Sequence, residues 1–189
     1  RFGLAPVGAP ADLMLDHTFQ TPAAEGPAYF LDCLDRELDL ALSSAALQRS
    51  QIKGVSCALP GITNAATGTA IFVSNLRGWD GFELAKALRE RFGVVALGEY
   101  DVNAAAYGEY VQHEADQMRA LVYFTVSTGI AVGIVLGGTI WRGVHHQAGE
   151  LGFFITEPEH LDTDWQPNGC LELLSAGVGL ARQWTAHTN

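Results

Sequence analysis

The stretch GEYDVNAAAYGEY, residues 98 to 110, places Asp101 between the apolar run VVAL and an alanine-rich pattern of helical spacing. An acid at such a junction has two roles open to it. It can accept backbone N–H groups at the first turn of the helix, where the positive end of the helix dipole keeps it ionised. It can also serve as a general base, provided that it lies in a cleft within hydrogen-bond reach of the hydroxyl it deprotonates. Position alone favours capping, so its neighbours must decide. A structural metal is poorly supplied. Cys33, Cys57 and Cys170 are widely spaced without a CxxC, and one thiolate falls short of the four ligands a tetrahedral zinc wants. His145, His146 and His160 show no spacing that assembles them with Cys170, so each is expected to be exposed or hydrogen-bonded, and no zinc is expected. Gly137-Gly138-Thr139, lying between two apolar runs, reads as a tight turn rather than a catalytic phosphate loop.

The elements that must position Asp101 follow from periodicity and breakers. Residues 1 to 7 and 13 to 20 are short candidate strands around the turn GAPAD, and residues 22 to 26 break the chain before a helical pattern carrying Tyr29, Phe30, Cys33, Leu34, Leu38, Ala41 and Leu42. IKGVSCAL, residues 52 to 59, has the length of a buried strand and ends in Pro60-Gly61, after which a loop is expected. GFELAKALRERF, residues 81 to 92, is helical, with Gly93 as its stop. VVAL makes the next strand, and a helix from Asp101 is expected to reach about Met118. Strands alternating with helices imply an α/β fold whose functional loops lie beyond strand ends, where Asp101 is placed. From Arg119 the character changes. LVYFTVSTGIAVGIVLGGTIWRG reads as twin strands joined by LGGT, so the expected lobes are residues 1–118 and 119–189.

At 189 residues, 48% apolar and 17% charged, the chain is globular in composition. A formal charge of −10 and no run of Lys/Arg argue against nucleic-acid binding through this segment. Residues 121 to 140 are too interrupted by glycine, serine and threonine for a membrane helix, and the cysteine pattern suggests reduced thiols in the cytoplasm. Residue 1 is Arg, with no basic-then-apolar leader after it, so the native start is expected upstream.

Residues 59 to 109, with a proline–glycine turn, NLRGW and DVNAAAYGE in that order, resemble the ROK family of sugar kinases and sugar-responsive repressors. VSTGIAVGIVLGGTIWRGVHHQAGELG, residues 126 to 152, is similar to the family's glycine-rich phosphate hairpin and A-G-E-[IL]-G motif, and GCLELLSAG, residues 169 to 177, to its G-C-L-E segment. The resemblance implies a ribonuclease H-like, actin-like ATPase fold of two lobes with a cleft between them, the second lobe incomplete. It implies Asp101 as the base activating a sugar hydroxyl toward ATP, and Asn75, Glu150 and Glu172 as sugar contacts. Ser127, Thr128 and Gly129 resemble the superfamily's phosphate-binding turn, in which backbone N–H groups surround oxygens. Without the resemblance, Asn75 reads as a turn residue, Glu150 as a surface acid and Glu172 as a first-turn acid of the last helix.

The sequence also departs from the family pattern. Phe153 stands where most members carry a histidine that binds zinc and touches the sugar, and the usual C-x-C-G-x-x-G-C is reduced to Cys170. Packing of Phe153, Phe154 and Trp165 is then expected to hold the segment EPEHLDTDWQPN. The Asp-x-Gly-Gly-Thr turn that handles phosphates and Mg²⁺ in the family's kinases would fall ahead of Arg1, and the adenosine-binding part beyond Asn189, so either the sequence omits these ends or the protein is a fragment. Tyr100 precedes the acid where kinases usually have Asn, and STG replaces the commoner GTG. Two functions are therefore implied, an ATP- and Mg²⁺-dependent kinase of a hexose or hexosamine, or the sugar-sensing effector domain of a repressor. A truncated, inactive homologue is the third. The family precedent is a homo-oligomer.

Overall fold

The computed structural model describes residues 1–9, 12–73, 75–113, 118–165 and 169–188. They form two compact units, residues 1–99 and 100–189.

In the first unit, β1 (Phe2–Leu4) and β2 (Leu15–His17) pair antiparallel, and α1 (Gly26–Ser44) follows, with a proline in its first turn where a missing N–H costs nothing. Leu31, Leu38, Ala41 and Leu42 of α1 are buried, as the seven- and three-residue spacings of one helix face require. β3 (Gly54–Leu59) pairs with β6 (Val95–Tyr100). The expected loop after Pro60-Gly61 is instead a hairpin of β4 (Ile62–Asn64) and β5 (Thr69–Phe72); Ile62, Thr63 and Ala70 are buried, and burial makes strands of a segment too short to show periodicity. α2 (Leu84–Phe92) ends as its sequence predicts. Gly93 adopts φ 66° and its N–H bonds the Arg89 carbonyl at 2.9 Å. Leu31, Leu59, Trp79, Leu84 and Leu88 meet in the core, with Phe30 and Phe82 edge-on to Trp79 at centroid distances of 5.3 and 5.6 Å.

The second unit begins at the end of β6 with α3 (Asp101–Gln112), so it starts ahead of the lobe boundary expected near residue 118. The reason is packing: α3 lies on β7 (Ala120–Val126) and β8 (Ile130–Leu136), where Ala106, Tyr110 and Val135 form a core with Leu121, Tyr123 and Ile140. α3 stops at Gln112, and residues 114–117, which the longer expected helix includes, lie outside the described residues. A second correction concerns the twin strands. β7 and β8 pair through seven residues and are joined by Ser127-Thr128-Gly129, whereas LGGT joins β8 to the short β9 (Thr139–Ile140). Gly137 and Gly138 both take positive φ, 52° and 79°, as a two-residue hairpin turn demands. After 3₁₀ turns at Leu151–Phe153 and Pro158–His160, the chain ends in α4 (Cys170–Ser175) and α5 (Gly177–Thr188). Among the described residues no helix is long and apolar enough to cross a membrane.

Candidate functional site

Asp101 is the first residue of α3, one position inside the helix, and the N-cap position belongs to Tyr100. Its Oδ1 accepts the Val102 N–H at 2.8 Å. As a residue Asp101 keeps exposed surface, yet the protein around its carboxyl removes enough water to raise the pKa above the ordinary Asp value. Two backbone N–H donors, from Val102 and Asp101 itself, pull the other way and do not outweigh that loss. A pKa moved toward neutrality suits a base that must both be ionised and accept a proton.

Tyr100, 9% exposed, ends β6, and its hydroxyl and the Glu150 carboxyl act on one another. Burial holds the phenol proton most strongly, and the charges of Glu150, Asp101 and Glu172 add to the effect. Glu150 follows the sharp turn at Gly149 and precedes the 3₁₀ turn Leu151–Phe153. Burial raises its pKa; the Tyr100 hydroxyl lowers it, and the negative charges of Glu172 and Asp101 raise it again. Its Oε1 is buried with no hydrogen-bond partner among the described residues. Such an atom costs free energy unless a ligand or water satisfies it.

Glu172, in the first turn of α4, reaches back to the β7–β8 turn, where its Oε2 accepts the Ile130 N–H at 3.1 Å. Gly129 makes the approach possible: a Cβ there would run into that same oxygen. The turn is fixed further by Ser127 N–H to Gly129 O and by Gly177 N–H to Ser127 O, both 2.9 Å. Ser127 and Thr128 remain exposed. Thus one carboxylate sits under the glycine-rich turn and also acts electrostatically on Glu150 and Tyr100.

Three of the residues singled out in the sequence, Asp101, Glu150 and Glu172, are brought together in the second unit, with Tyr100 among them. Asn75 belongs to the first unit. It is exposed, in a turn after β5 that is braced by Val73 N–H to Asp80 Oδ1 at 2.8 Å and Arg77 N–H to Ala23 O at 3.1 Å. Sequence reasoning missed the Tyr100–Glu150 pair, which joins residues fifty positions apart and leaves no local signal.

The segment before α4 departs from its expectation. Phe153 and Phe154 are 39% and 59% exposed, so neither anchors it. Trp165 does, donating its indole N–H to His160 O at 3.1 Å and meeting the His160 ring edge-on at 5.3 Å. His160 in turn comes to Cys170, Nδ1 to Sγ 3.6 Å, with Thr156 Oγ1 3.9 Å from the same sulfur. The pairing that residue spacing did not suggest is therefore made through space.

Residues 13–189 match the model of the ROK family. The chain is a member of the ROK family. It is 31% identical over 163 residues to a glucokinase of Halalkalibacterium halodurans, covering 86% of this chain and 49% of that protein. Against an N-acetylmannosamine kinase of Shigella boydii it is 30% identical over 181 residues, 96% of this chain and 60% of the relative. The ROK hexokinase structure from Thermus thermophilus superposes with a TM-score of 0.73 at 31% identity, over 93% of this chain and 57% of that one. A ROK transcriptional regulator, a homologue of the E. coli MLC protein, shares the fold with a TM-score of 0.69 at 23% identity, over 83% of this chain and 39% of the regulator. The chain therefore has the α/β, actin-like ATPase fold of ROK kinases, and spans about half to three-fifths of the length of the curated relatives it matches. The zinc site that the ROK resemblance implies does not fit these residues. Cys170 and His160 are two donors, and no group of three or more His, Cys, Asp or Glu side chains is placed to hold a metal ion among the described residues.

Proposed function

We propose that this chain carries the sugar site and phosphate turn of a ROK-type sugar kinase, acting on a hexose or hexosamine with Asp101 as general base. One observation supports this above the rest: Glu172 is bonded to the exposed Ser127-Thr128-Gly129 turn and also acts on Glu150, on which Asp101 acts as well. A phosphoryl donor and a polyhydroxylated acceptor need such adjacent sites. ATP with Mg²⁺ supplies the phosphoryl group and neutralises charge on the phosphates. The chain's own contribution is to hold and deprotonate. Glu150 Oε1, buried and unpartnered among the described residues, is an acceptor for a sugar hydroxyl, Glu172 is a further contact, and Asp101 takes the proton of the attacking hydroxyl. As that oxygen bonds the γ-phosphorus, the bond to the β-bridging oxygen breaks and ADP leaves with the electron pair. Thr128 and Gly129 hold the phosphates through backbone N–H groups, while the Ser127 N–H closes the turn on Gly129 O. The setting is cytoplasmic and homo-oligomeric.

The test is coupled ATP turnover by the full protein over a panel including glucose and N-acetylmannosamine. Sugar-dependent ADP formation supports the kinase. Sugar binding without turnover favours the second reading, a non-catalytic sugar-sensing domain, which Tyr100 in the position before the acid and the fold of the ROK regulator support. An inactive homologue would bind neither sugar nor nucleotide.

A further inference from the structure

His146 has a conformation and a buried nitrogen that the proposed reaction does not use. Its φ of 60° lies in the left-handed region, which is uncommon for a residue with a Cβ. Among the described residues one other non-glycine residue shares that region, Ala46, and it sits just past the end of α1, where the conformation stops a helix. His146 ends no helix. Its Nδ1 is buried with no hydrogen-bond partner among the described residues, and Glu150 Oε1, four positions further on, is in the same condition.

The loop that carries both atoms is pinned at each end. After β9 the Ala148 N–H donates to Arg142 O at 3.0 Å and closes residues 142–148 on themselves. Gly149 O then accepts the Val132 N–H at 2.8 Å, and the backbone there lies so close to β8 that a Cβ on Gly149 would strike Val132 O. The Glu150 N–H donates to Gln147 O at 3.3 Å, which makes residues 147–150 a turn. The ends of such a turn lie within about 7 Å, so the α-carbons of His146 and Glu150 are at most about 11 Å apart. Val144, His145 and Gln147 are exposed while His146 is half-buried, so the left-handed residue is the one that this loop turns inward.

We infer that His146 is a specificity-determining residue of the sugar site, its Nδ1 and Glu150 Oε1 each bonding a hydroxyl of one carbohydrate. The inference rests on the sugar-site reading above and extends it to a residue outside the acids. A strained backbone and an unpaired buried polar atom both cost free energy, and the two together mark a place where a ligand makes use of them. A hydroxyl suits the nitrogen in either tautomer, because it accepts from Nδ1–H and donates to a bare Nδ1. It also donates to the carboxylate oxygen. An ether or carbonyl oxygen can only accept, so the pair selects a polyhydroxylated ligand. An ordered water is the rival partner, and it would leave sugar affinity indifferent to the ring.

The test is calorimetry on the full protein with glucose, N-acetylmannosamine and the monodeoxy analogues of whichever sugar binds, for the native protein, His146→Gly and His146→Asn. Glycine accepts the left-handed backbone, so His146→Gly should melt no lower than the native protein while binding sugar about fivefold more weakly, the scale of one neutral hydrogen bond. Asparagine tolerates the same φ and carries a polar atom at the position of Nδ1, so His146→Asn should restore most of the affinity. One deoxy analogue should lose about the same fivefold on the native protein and nothing further on His146→Gly, because the two changes remove one contact. Unchanged sugar affinity in His146→Gly overturns the proposal and assigns Nδ1 to water. Deoxy losses of the same size in the native protein and the variant overturn it too, since the ring would then act without touching a hydroxyl. A His146→Gly that fails to fold also overturns it, because the ring is then a structural support. In each of these cases the native protein still binds sugar. If it binds neither sugar, the underlying reading fails and takes this inference with it.

Discussion

Gly129→Ala probes the link between the phosphate turn and the acids, because the new methyl group would occupy the place of Glu172 Oε2. The backbone itself does not forbid alanine, since Gly129 is not among the residues of positive φ. The obstructing atom is the tip of a flexible side chain, so steric strain is small if the carboxylate swings aside. What is lost is the 3.1 Å bond from the Ile130 N–H to that carboxylate. Hydrogen bonds to a charged partner contribute about 1.5–3 kcal/mol, and the lower half of that range applies because water reaches the half-buried Glu172. Urea unfolding should therefore show Gly129→Ala destabilised by about 1.5 kcal/mol. With Glu172→Ala the space is empty and the bond already gone, so adding Gly129→Ala there should cost less than about 0.5 kcal/mol, the level at which independent changes add. Equal costs in the two backgrounds would refute the reasoning, since the penalty would then arise from the turn's backbone.

Asp101→Asn should retain sugar binding while turnover falls by about 10²–10⁴, the contribution of a positioned base; ADP release measured beside calorimetric binding checks both. Glu150→Gln should stabilise the folded protein at neutral pH. Glu150 has a raised folded pKa, so its favourable contribution is complete below the unfolded pKa and lost as pH rises through the folded one. The advantage of Gln should thus shrink in melts taken at mildly acidic pH, and a constant advantage would count against it. A strong chelator should leave the melting temperature unchanged, whereas His160→Ala, which removes the contacts to Cys170 and Trp165, should cost about 1 kcal/mol. A chelator-sensitive melt would show that metal holds this segment after all. Burial pushes the Cys57 thiol up to about 11, so it should react slowly with iodoacetamide at neutral pH and quickly once the protein is unfolded in denaturant.

Local signals were read well where local forces decide. The stop of α2 at Gly93 follows from a left-handed conformation that only its own backbone needs. The junction of β6 and α3 was equally plain, because an apolar strand run gives way to alanines at Asp101. STG and LGGT are both turn signals, and choosing between them required the seven-residue pairing of β7 with β8, which is a tertiary fact. The hairpin of β4 and β5 is likewise defined by what buries it. At the site, motif resemblance points to Asp101, Glu150 and Glu172, while Tyr100 stands out in the sequence only as a departure from the family pattern. His160 and Cys170 meet across ten residues of irregular chain, a distance at which residue spacing carries no geometry.

The central proposal is spatial, that Asp101, Glu150 and Glu172 of the second unit grip one carbohydrate. A crystal structure of the full protein with bound glucose or N-acetylmannosamine tests it most directly. The account predicts sugar hydroxyls within about 2.6–3.2 Å of these three side chains, with the reacting hydroxyl on Asp101. A sugar seated elsewhere, or one that leaves Asp101 or Glu150 Oε1 without a hydroxyl, would contradict it.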